Sequence, residues 1–360
     1  MDKDLAALTI TEAARMLRTK ECTVRELWDA CHAAAKGDAL NAYLEVFDAD
    51  DAAIGAAQAR IDAEGEKAPL LCGIPLALKD NILIQGKIAS AASKMLENYK
   101  ATYDATATKK LKACGALFLG RTNMDEFALG GSTENSAFGV TKNPHDASRV
   151  AGGTSGGSAA AVAAGLAIAS LGSDTGGSVR NPASYCGVVG FKPTYGSISR
   201  SGLIAAASSF DQIGPITKSV ADAKILYEAI QGNDILDAST SPADTYPAFS
   251  AEVKTIGVPR SLLESGLDPD VVMAFNVALE KTGCKIVDIE IPSNKPALAA
   301  YYIINFAEVS ANLARLDGIR YGLAERGDTL LADYIDSRTK GFGPETKRRI
   351  LLGTFVLSAG

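Results

Sequence analysis

Apolar and polar positions change rhythm several times along the chain. Over residues 1–35 the apolar positions recur at helical spacing, which predicts two short helices. Thr23 and Glu26 form a capping-box pattern ahead of Leu27, Trp28 and Cys31. Residues 42–47 predict a strand and residues 49–63 an alanine-rich helix. Short apolar runs then alternate with amphipathic stretches. Strands are predicted at 73–79, 116–119, 168–171, 187–191, 255–258 and 285–289. Helices are predicted at 105–114, 158–167, 219–230 and 269–282, with a further short one capped by Asn123. Such alternation implies an α/β fold with a largely parallel sheet. Residues 298–316, 329–337 and 344–357 all read as helices, and 233–249, rich in Asp, Ser, Thr and Pro, as a surface loop. The nearly apolar run at 159–171 is too short to span a membrane, which takes ~20 residues; it reads as buried.

Composition narrows the chemistry. The chain has 360 residues, 47% of them hydrophobic, with 36 basic and 42 acidic side chains and a formal net charge of −6. That length can bury a sizeable core and fits one large α/β domain or two domains. The acidic balance argues against a surface that grips nucleic-acid phosphates itself. There are 34 glycines but only two histidines, His32 and His145. A site built on several histidines is excluded, and the proton acceptor of any enzyme here is expected to be another residue type. Cys22, Cys31, Cys72, Cys114, Cys186 and Cys284 are scattered without metal-ligand spacing. They read as free thiols in a reducing cytoplasm. The start, Met1-Asp2-Lys3-Asp4, lacks the pattern of a signal peptide, so a cytoplasmic location is expected.

The densest signal is Gly152-Gly153-Thr154-Ser155-Gly156-Gly157-Ser158, followed after a mostly apolar stretch by Gly172-Ser173-Asp174-Thr175-Gly176-Gly177-Ser178. Residues 151–178 hold eight glycines and five serines, more than packing alone is expected to need. Three readings stand. One is an anion cradle, although no G-x-x-x-x-G-K-[ST] pattern is present. Another is a structural turn capping a helix. The third is a nucleophile site, in which a Gly-Gly-Ser turn exposes a hydroxyl and leaves neighbouring amides free to hold an oxyanion. A serine nucleophile needs a base, and with histidine scarce a lysine can serve if burial keeps it neutral. Lys79 ends the apolar strand that carries Ile74, Leu76 and Leu78. Taken alone, such a lysine reads as a solvated surface residue; combined with the serines it reads as the base.

Residues 73–81 (Gly-Ile-Pro-Leu-Ala-Leu-Lys-Asp-Asn), the Gly/Ser block and residues 186–194 (Cys-Gly-Val-Val-Gly-Phe-Lys-Pro-Thr) together resemble the amidase signature family. Residues 122–127, 132–135, 208–215 and 317–322 are similar to one branch of it, the A subunits of glutamine-dependent aspartyl/glutamyl-tRNA amidotransferases. The resemblance implies an amidase-signature fold: a mixed, mostly parallel β-sheet core flanked by α-helices on both faces. It also implies a single domain over 1–360, with a helical N-terminal segment at 1–65. Because family members continue past this point with further strands and an acidic residue for the glutamine amino group, the chain is expected to be incomplete at its C-terminus.

The same resemblance implies a Ser-Ser-Lys relay. Ser178 is then the acyl-forming nucleophile and Lys79 the ultimate base. The relay position, a serine on a cis peptide bond in the family, falls on Thr154, whose hydroxyl can still donate and accept. Lys79 Nζ, Thr154 Oγ1 and Ser178 Oγ should form a hydrogen-bonded chain. Backbone amides of Thr175, Gly176, Gly177 or Ser178 would form the oxyanion hole, with Asp174 and Arg180 bracing the loop. Arg349 matches an arginine that holds the glutamine α-carboxylate and Tyr301 a residue lining the same pocket, although a solvated helix arginine and a helix-packing tyrosine fit those positions as well. Asp125 and Glu126 read as acids in the first turn of a helix. The implied activity is hydrolysis of glutamine to glutamate and ammonia. The ammonia would pass to a B subunit that uses ATP and Mg²⁺ to activate Asp-tRNA(Asn) or Glu-tRNA(Gln) and makes most of the tRNA contact, with a small C subunit clasping the two. The chain itself would need no cofactor or metal and no membrane. The alternatives are a stand-alone amidase acting on other carboxamides and a non-catalytic scaffold subunit.

Overall fold

Helix signals near the N-terminus work as the sequence predicts. In the computed structural model, which describes residues 4–242, 253–263 and 266–358, helices α1 (Ile10–Arg18) and α2 (Val24–Lys36) both begin at complete capping boxes, Thr9 with Glu12 and Thr23 with Glu26. Each box satisfies two otherwise orphaned amides. Helix α2 buries Val24, Leu27, Trp28, Cys31 and Ala35, the three-and-four spacing of a core-facing stripe.

The chain forms two units, residues 1–243 with 305–360, and residues 244–304. In the larger one the order continues β1 (Tyr43–Val46), α3 (Asp51–Glu64), β2 (Pro75–Lys79), α4 (Thr106–Ala113), β3 (Leu117–Thr122), α5 (Gly156–Ala163), β4 (Ala169–Asp174), α6 (Arg180–Cys186), β5 (Val189–Gly190), β6 (Gln212–Thr217) and α7 (Val220–Ile230). The strands form one sheet in the order β1-β3-β2-β4-β6-β5. Strand β2 is parallel to β3 and β4, whereas β1 is antiparallel to β3, and β6 to both β4 and β5. Thus β3, β2, β4 and β5 run one way, and the sheet is mixed with a parallel centre. Every residue of β2 and β4 is buried, as strands covered on both faces must be. Helix α2 packs against β1, β2 and β3, and α5 against β2, β3, β4 and β6.

The hydrophobic pattern misses helix α6, and it also misses strand β6. Gly214 and Pro215 sit in its middle, and proline cannot donate to a ladder. Pro215 pairs with Leu171 in register, and its carbonyl accepts the Phe191 N–H at 3.0 Å. The loop expected at 233–249 is described as far as residue 242, and residues 243–249 lie outside the described residues. It is more than a surface loop. Asp234 accepts hydrogen bonds from the Thr106 and Ser199 hydroxyls, and Asp237 pairs with Arg200 at 2.9 Å.

The smaller unit contains β7 (Thr255–Val258), α8 (Pro269–Lys281) and β8 (Lys285–Asp288), with β7 and β8 parallel. Asp268 caps α8 and Pro269 occupies its first turn, where the missing N–H costs nothing. Helix α9 (Asn294–Leu313) has residues in both units. Helices α10 (Leu330–Gly341) and α11 (Pro344–Ser358) belong to the larger one. Among the described residues, no helix is long and apolar enough to cross a membrane.

Candidate active site

Lys79 is the last residue of β2 and has no solvent exposure. It lies at the carboxyl end of the parallel strands, where ligands of open α/β sheets gather. Its Nζ donates to Thr154 Oγ1 at 2.7 Å, to Ser173 Oγ at 2.9 Å and to the Ser173 carbonyl at 3.2 Å. Burial lowers its pKa from 10.5 to about 7, against the opposing pull of Asp125, Asp174 and Asp211. A substantial fraction is therefore neutral amine near neutrality, the form that accepts a proton.

Thr154 stands just before α5, and the Gly153–Thr154 peptide is cis. The Thr154 carbonyl accepts the Asp125 N–H at 3.2 Å. The glycines around it are packed, which corrects the expectation that packing does not need them. A Cβ on Gly153 would stand 2.2 Å from Asp125 Oδ2, one on Gly156 2.1 Å from Thr133 Oγ1, and one on Gly157 2.4 Å from the Ala42 carbonyl oxygen. Ser155, the other hydroxyl beside the relay position, does not bond Lys79. Its Oγ donates to the Ser173 carbonyl at 3.2 Å and accepts the Ser173 N–H at 3.3 Å.

Ser178 lies in the turn between β4 and α6. Asp174, at the end of β4, organises that turn. It accepts the Gly177 N–H at 2.7 Å, the Val179 N–H at 3.1 Å and both arms of the Arg180 guanidinium at 3.0 Å. Burial pushes the Asp174 carboxyl up, but Arg180 and the amides outweigh it and hold the pKa below the usual range. Asp174 and Arg180 therefore brace the loop, as expected. The oxyanion expectation needs correction at one position, because the Gly177 N–H is already taken by Asp174. Among the described residues, the N–H groups of Thr175, Gly176 and Ser178 have no acceptor.

The expected chain of hydroxyls is half made. Lys79 meets Thr154, but the Ser178 hydroxyl has no hydrogen bond to Thr154 among the described residues; the two loops are joined instead by the Ser155 N–H, which donates to the Ser178 carbonyl at 3.1 Å. Catalytic hydrogen bonds often close only when substrate is bound, and a serine hydroxyl moves by rotation about one bond. Sequence reasoning also missed Ser173 and Asn81. The Asn81 side-chain amide meets Ser173 Oγ at 3.0 Å. Their only sequence signal is position, beside Lys79 and inside the Gly/Ser block.

Glu126 does open a short helix, with Asp125 at its N-cap, but the side chains of both acids are engaged elsewhere. The segment after Asn123 is a single 3₁₀ turn, Glu126–Ala128. Asp125 accepts the N–H groups of Thr133 at 2.9 Å and Asn135 at 3.1 Å. Glu126, only 2% exposed, accepts from Ser93 Oγ, from the Gly343 N–H at 2.8 Å and from Thr346 Oγ1 at 2.5 Å. It therefore caps the start of α11, 217 residues later in the chain. Glu126→Ala would strand these buried donors, at a cost of about 3 kcal/mol. The expected result is faster amide exchange at the start of α11 with α5 unchanged, measured by hydrogen–deuterium exchange.

Helix α11 carries Arg349, which is nearly buried rather than solvated. Its Nε donates to Glu345 at 2.7 Å and one terminal nitrogen to Asn305 Oδ1 at 3.2 Å. Tyr301 lies in the smaller unit, edge-on to Tyr302 with ring centroids 5.3 Å apart. Lys79, Thr154, Ser173 and the Ser178 turn are thus brought together, while Arg349 makes no hydrogen bond to any of them and pairs with Glu345 and Asn305 instead.

A mixed sheet with a buried lysine at the end of a central strand, facing two glycine-serine loops, defines a hydrolase of the amidase type. The chain belongs to the amidase family, whose model matches residues 24–360. The A subunit of glutamyl-tRNA(Gln) amidotransferase from Roseiflexus castenholzii is 50% identical over 99% of this chain and 74% of its own length. The crystal structure of the corresponding A subunit from Thermotoga maritima, also of a glutamyl-tRNA(Gln) amidotransferase, is 40% identical with a TM-score of 0.73, covering 100% of this chain and 73% of that one. The native peptide amidase of Stenotrophomonas maltophilia is 28% identical with a TM-score of 0.79, covering 96% of this chain and 75% of that one.

Proposed function

We propose that this chain is the amidase subunit of a tRNA-dependent amidotransferase and that it hydrolyses glutamine to glutamate and ammonia. Ser178 Oγ attacks the carboxamide carbon while its proton moves through the Thr154 hydroxyl to the neutral amine of Lys79. The oxyanion takes hydrogen bonds from the free N–H groups of Thr175, Gly176 and Ser178. Collapse breaks the C–N bond, and ammonia leaves with the proton returned from Lys79. Water then adds to the glutamyl ester on Ser178, with Lys79 again as base, and releases glutamate. The observation that carries this reading is the 2.7 Å contact between the buried Lys79 amine and Thr154 Oγ1.

The names of the relatives support the place of this chain in such a complex. The partners would be a B subunit, which binds ATP and Mg²⁺ and most of the tRNA, and a C subunit, with no cofactor in this chain; a cytoplasmic location follows from that reading. The net charge of −6 suits a protein that leaves tRNA to its partner. Arg349 would meet the glutamine α-carboxylate, for which a guanidinium fork is suited, and to do so it must give up part of its pairing with Glu345. Tyr301 would line the same pocket, and the domain would be single.

A stand-alone amidase is the second reading, favoured by the TM-score of 0.79 to the peptide amidase. Ammonia release from L-glutamine and from acetamide, with and without added B and C subunits, separates the two. Glutamine turnover that rises with the partners is the expected result. Equal turnover of acetamide by the chain alone would favour the stand-alone enzyme.

A further inference from the structure

We propose that Ser173, held by Asn81, is a positioning residue that turns the lone pair of Lys79 toward Thr154. This rests on the reading of Lys79 as the base. The lysine has three acceptors around it: Thr154 Oγ1 at 2.7 Å, Ser173 Oγ at 2.9 Å and the Ser173 carbonyl at 3.2 Å. An ammonium group has three N–H bonds and no lone pair, so the protonated lysine is fully satisfied there. The neutral amine has two N–H bonds and one lone pair. A carbonyl can only accept, so one N–H must stay on the Ser173 carbonyl. The lone pair then has two places to go, the Thr154 hydroxyl or the Ser173 hydroxyl. Only the first moves the nucleophile's proton.

Asn81 decides between them. It is buried, 2% exposed, and its amide meets Ser173 Oγ at 3.0 Å. With the nitrogen placed toward Ser173, Asn81 Oδ1 is left buried without a partner, and Ser173 Oγ donates to nothing else among the described residues. The two ends of a carboxamide have nearly the same shape, so hydrogen bonding decides which way it points. With Oδ1 turned toward Ser173, the carboxamide oxygen accepts the Ser173 O–H. The lone pairs of Ser173 Oγ then face Lys79 and can only accept its second N–H. The lysine lone pair is left for Thr154. The arrangement is rigid because Ser173 is a β4 residue whose N–H and carbonyl are both held by Ser155 Oγ.

The charged groups facing Lys79 are Asp125 from the segment after β3, Asp174 from β4 and Asp211 before β6. Asp211 is pushed by burial up to about 6, so it titrates close to the lysine, and the pH profile of Asp211→Asn separates the two: the acid limb that it keeps belongs to Lys79.

The test follows the rate at which a fluorophosphonate labels Ser178, measured against pH on the full chain. In that step the serine oxygen–phosphorus bond forms, the phosphorus–fluorine bond breaks, fluoride leaves and the proton passes to Lys79. It needs neither glutamine nor partner subunits. Removing a hydrogen bond to the ammonium favours the neutral amine, so Ser173→Ala should move the acid limb down by about one pH unit while the plateau rate falls about tenfold. Ser173→Thr keeps the hydroxyl and should restore both within about threefold, and Asn81→Ala should lower the plateau like Ser173→Ala. A thermal melt of each variant separates misfolding from a loss of rate. A Ser173→Ala profile with its midpoint unmoved overturns the proposal, since a merely structural role would lower the amplitude only. Lys79→Ala separates this failure from that of the underlying reading. If Lys79→Ala labels at the unmodified rate, the base assignment falls and Ser173 with it. If Lys79→Ala is inert while Ser173→Ala keeps the original profile, Ser173 alone is excluded.

Discussion

Lys79→Ala is expected to lower ammonia release from glutamine roughly a thousandfold or more, with little change in KM. The side chain touches Thr154 and Ser173 rather than open space, so its loss would remove the proposed proton acceptor without removing a substrate contact. Ser178→Ala should reach the same floor, and the double variant should be no worse than either alone, because groups that act as a unit are not additive. The pH dependence of the unmodified chain carries the same information. With Lys79 as the proposed base the amine is the working form, and burial brings its pKa to about 7. Below that value the lysine is protonated and the rate falls with pH; above it the rate rises to a plateau. A lysine at its ordinary value would instead give a rate still climbing beyond about pH 9. Turnover of glutamine in buffers from about pH 5 to about pH 10 checks the sign, and a rate that is flat across the lysine's pKa would remove Lys79 as the base.

The second large effect is on stability. Gly157→Ala should destabilise the larger unit by about 3 kcal/mol. The added Cβ would lie 2.4 Å from the Ala42 carbonyl oxygen and 2.5 Å from the Asn123 nitrogen. Both are backbone atoms that cannot swing away as a side chain would. The Gly157 N–H also donates to the Asn123 carbonyl at 3.1 Å, and the Asn123 N–H to the Ala42 carbonyl at 2.8 Å. Moving any of these three segments moves α5 and, with it, Thr154. Thermal unfolding followed by circular dichroism should show a fall of several degrees. Gly131→Ala is the control: a Cβ there has nothing within 4 Å, and stability should be nearly unchanged. Equal melts for the two variants would mean that the contact relaxes at little cost.

Periodicity and capping made most elements legible, because they are local. Thr9 and Thr23 start α1 and α2 wherever the rest of the chain goes. The paired apolar runs at β7 and β8 carry their own strand signal. Strand β6 was not legible, because Gly214 and Pro215 disfavour a ladder and the strand is held by distant partners, β4 and β5 in the sheet and α5 and α7 against it. The acids after Asn123 looked like ordinary helix-start residues. Nothing in the sequence around Glu126 shows that it binds Gly343 and Thr346, since that pairing joins distant parts of the chain.

The sequence by itself determined the inventory: few histidines, a lysine closing an apolar strand, and serines and a threonine set in two glycine-rich loops. Those choices make a lysine-assisted hydroxyl nucleophile one of the readings open to the chain. Only the tertiary structure decided what each group does. It placed Ser173 rather than Ser155 against the lysine, gave the Gly177 amide to Asp174, and paired Arg349 with Glu345 and Asn305. The reason is physical. Local pattern reports which conformations a segment prefers. Hydrogen-bond partners and burial, which set the lysine's pKa, depend on which segments the sheet brings side by side.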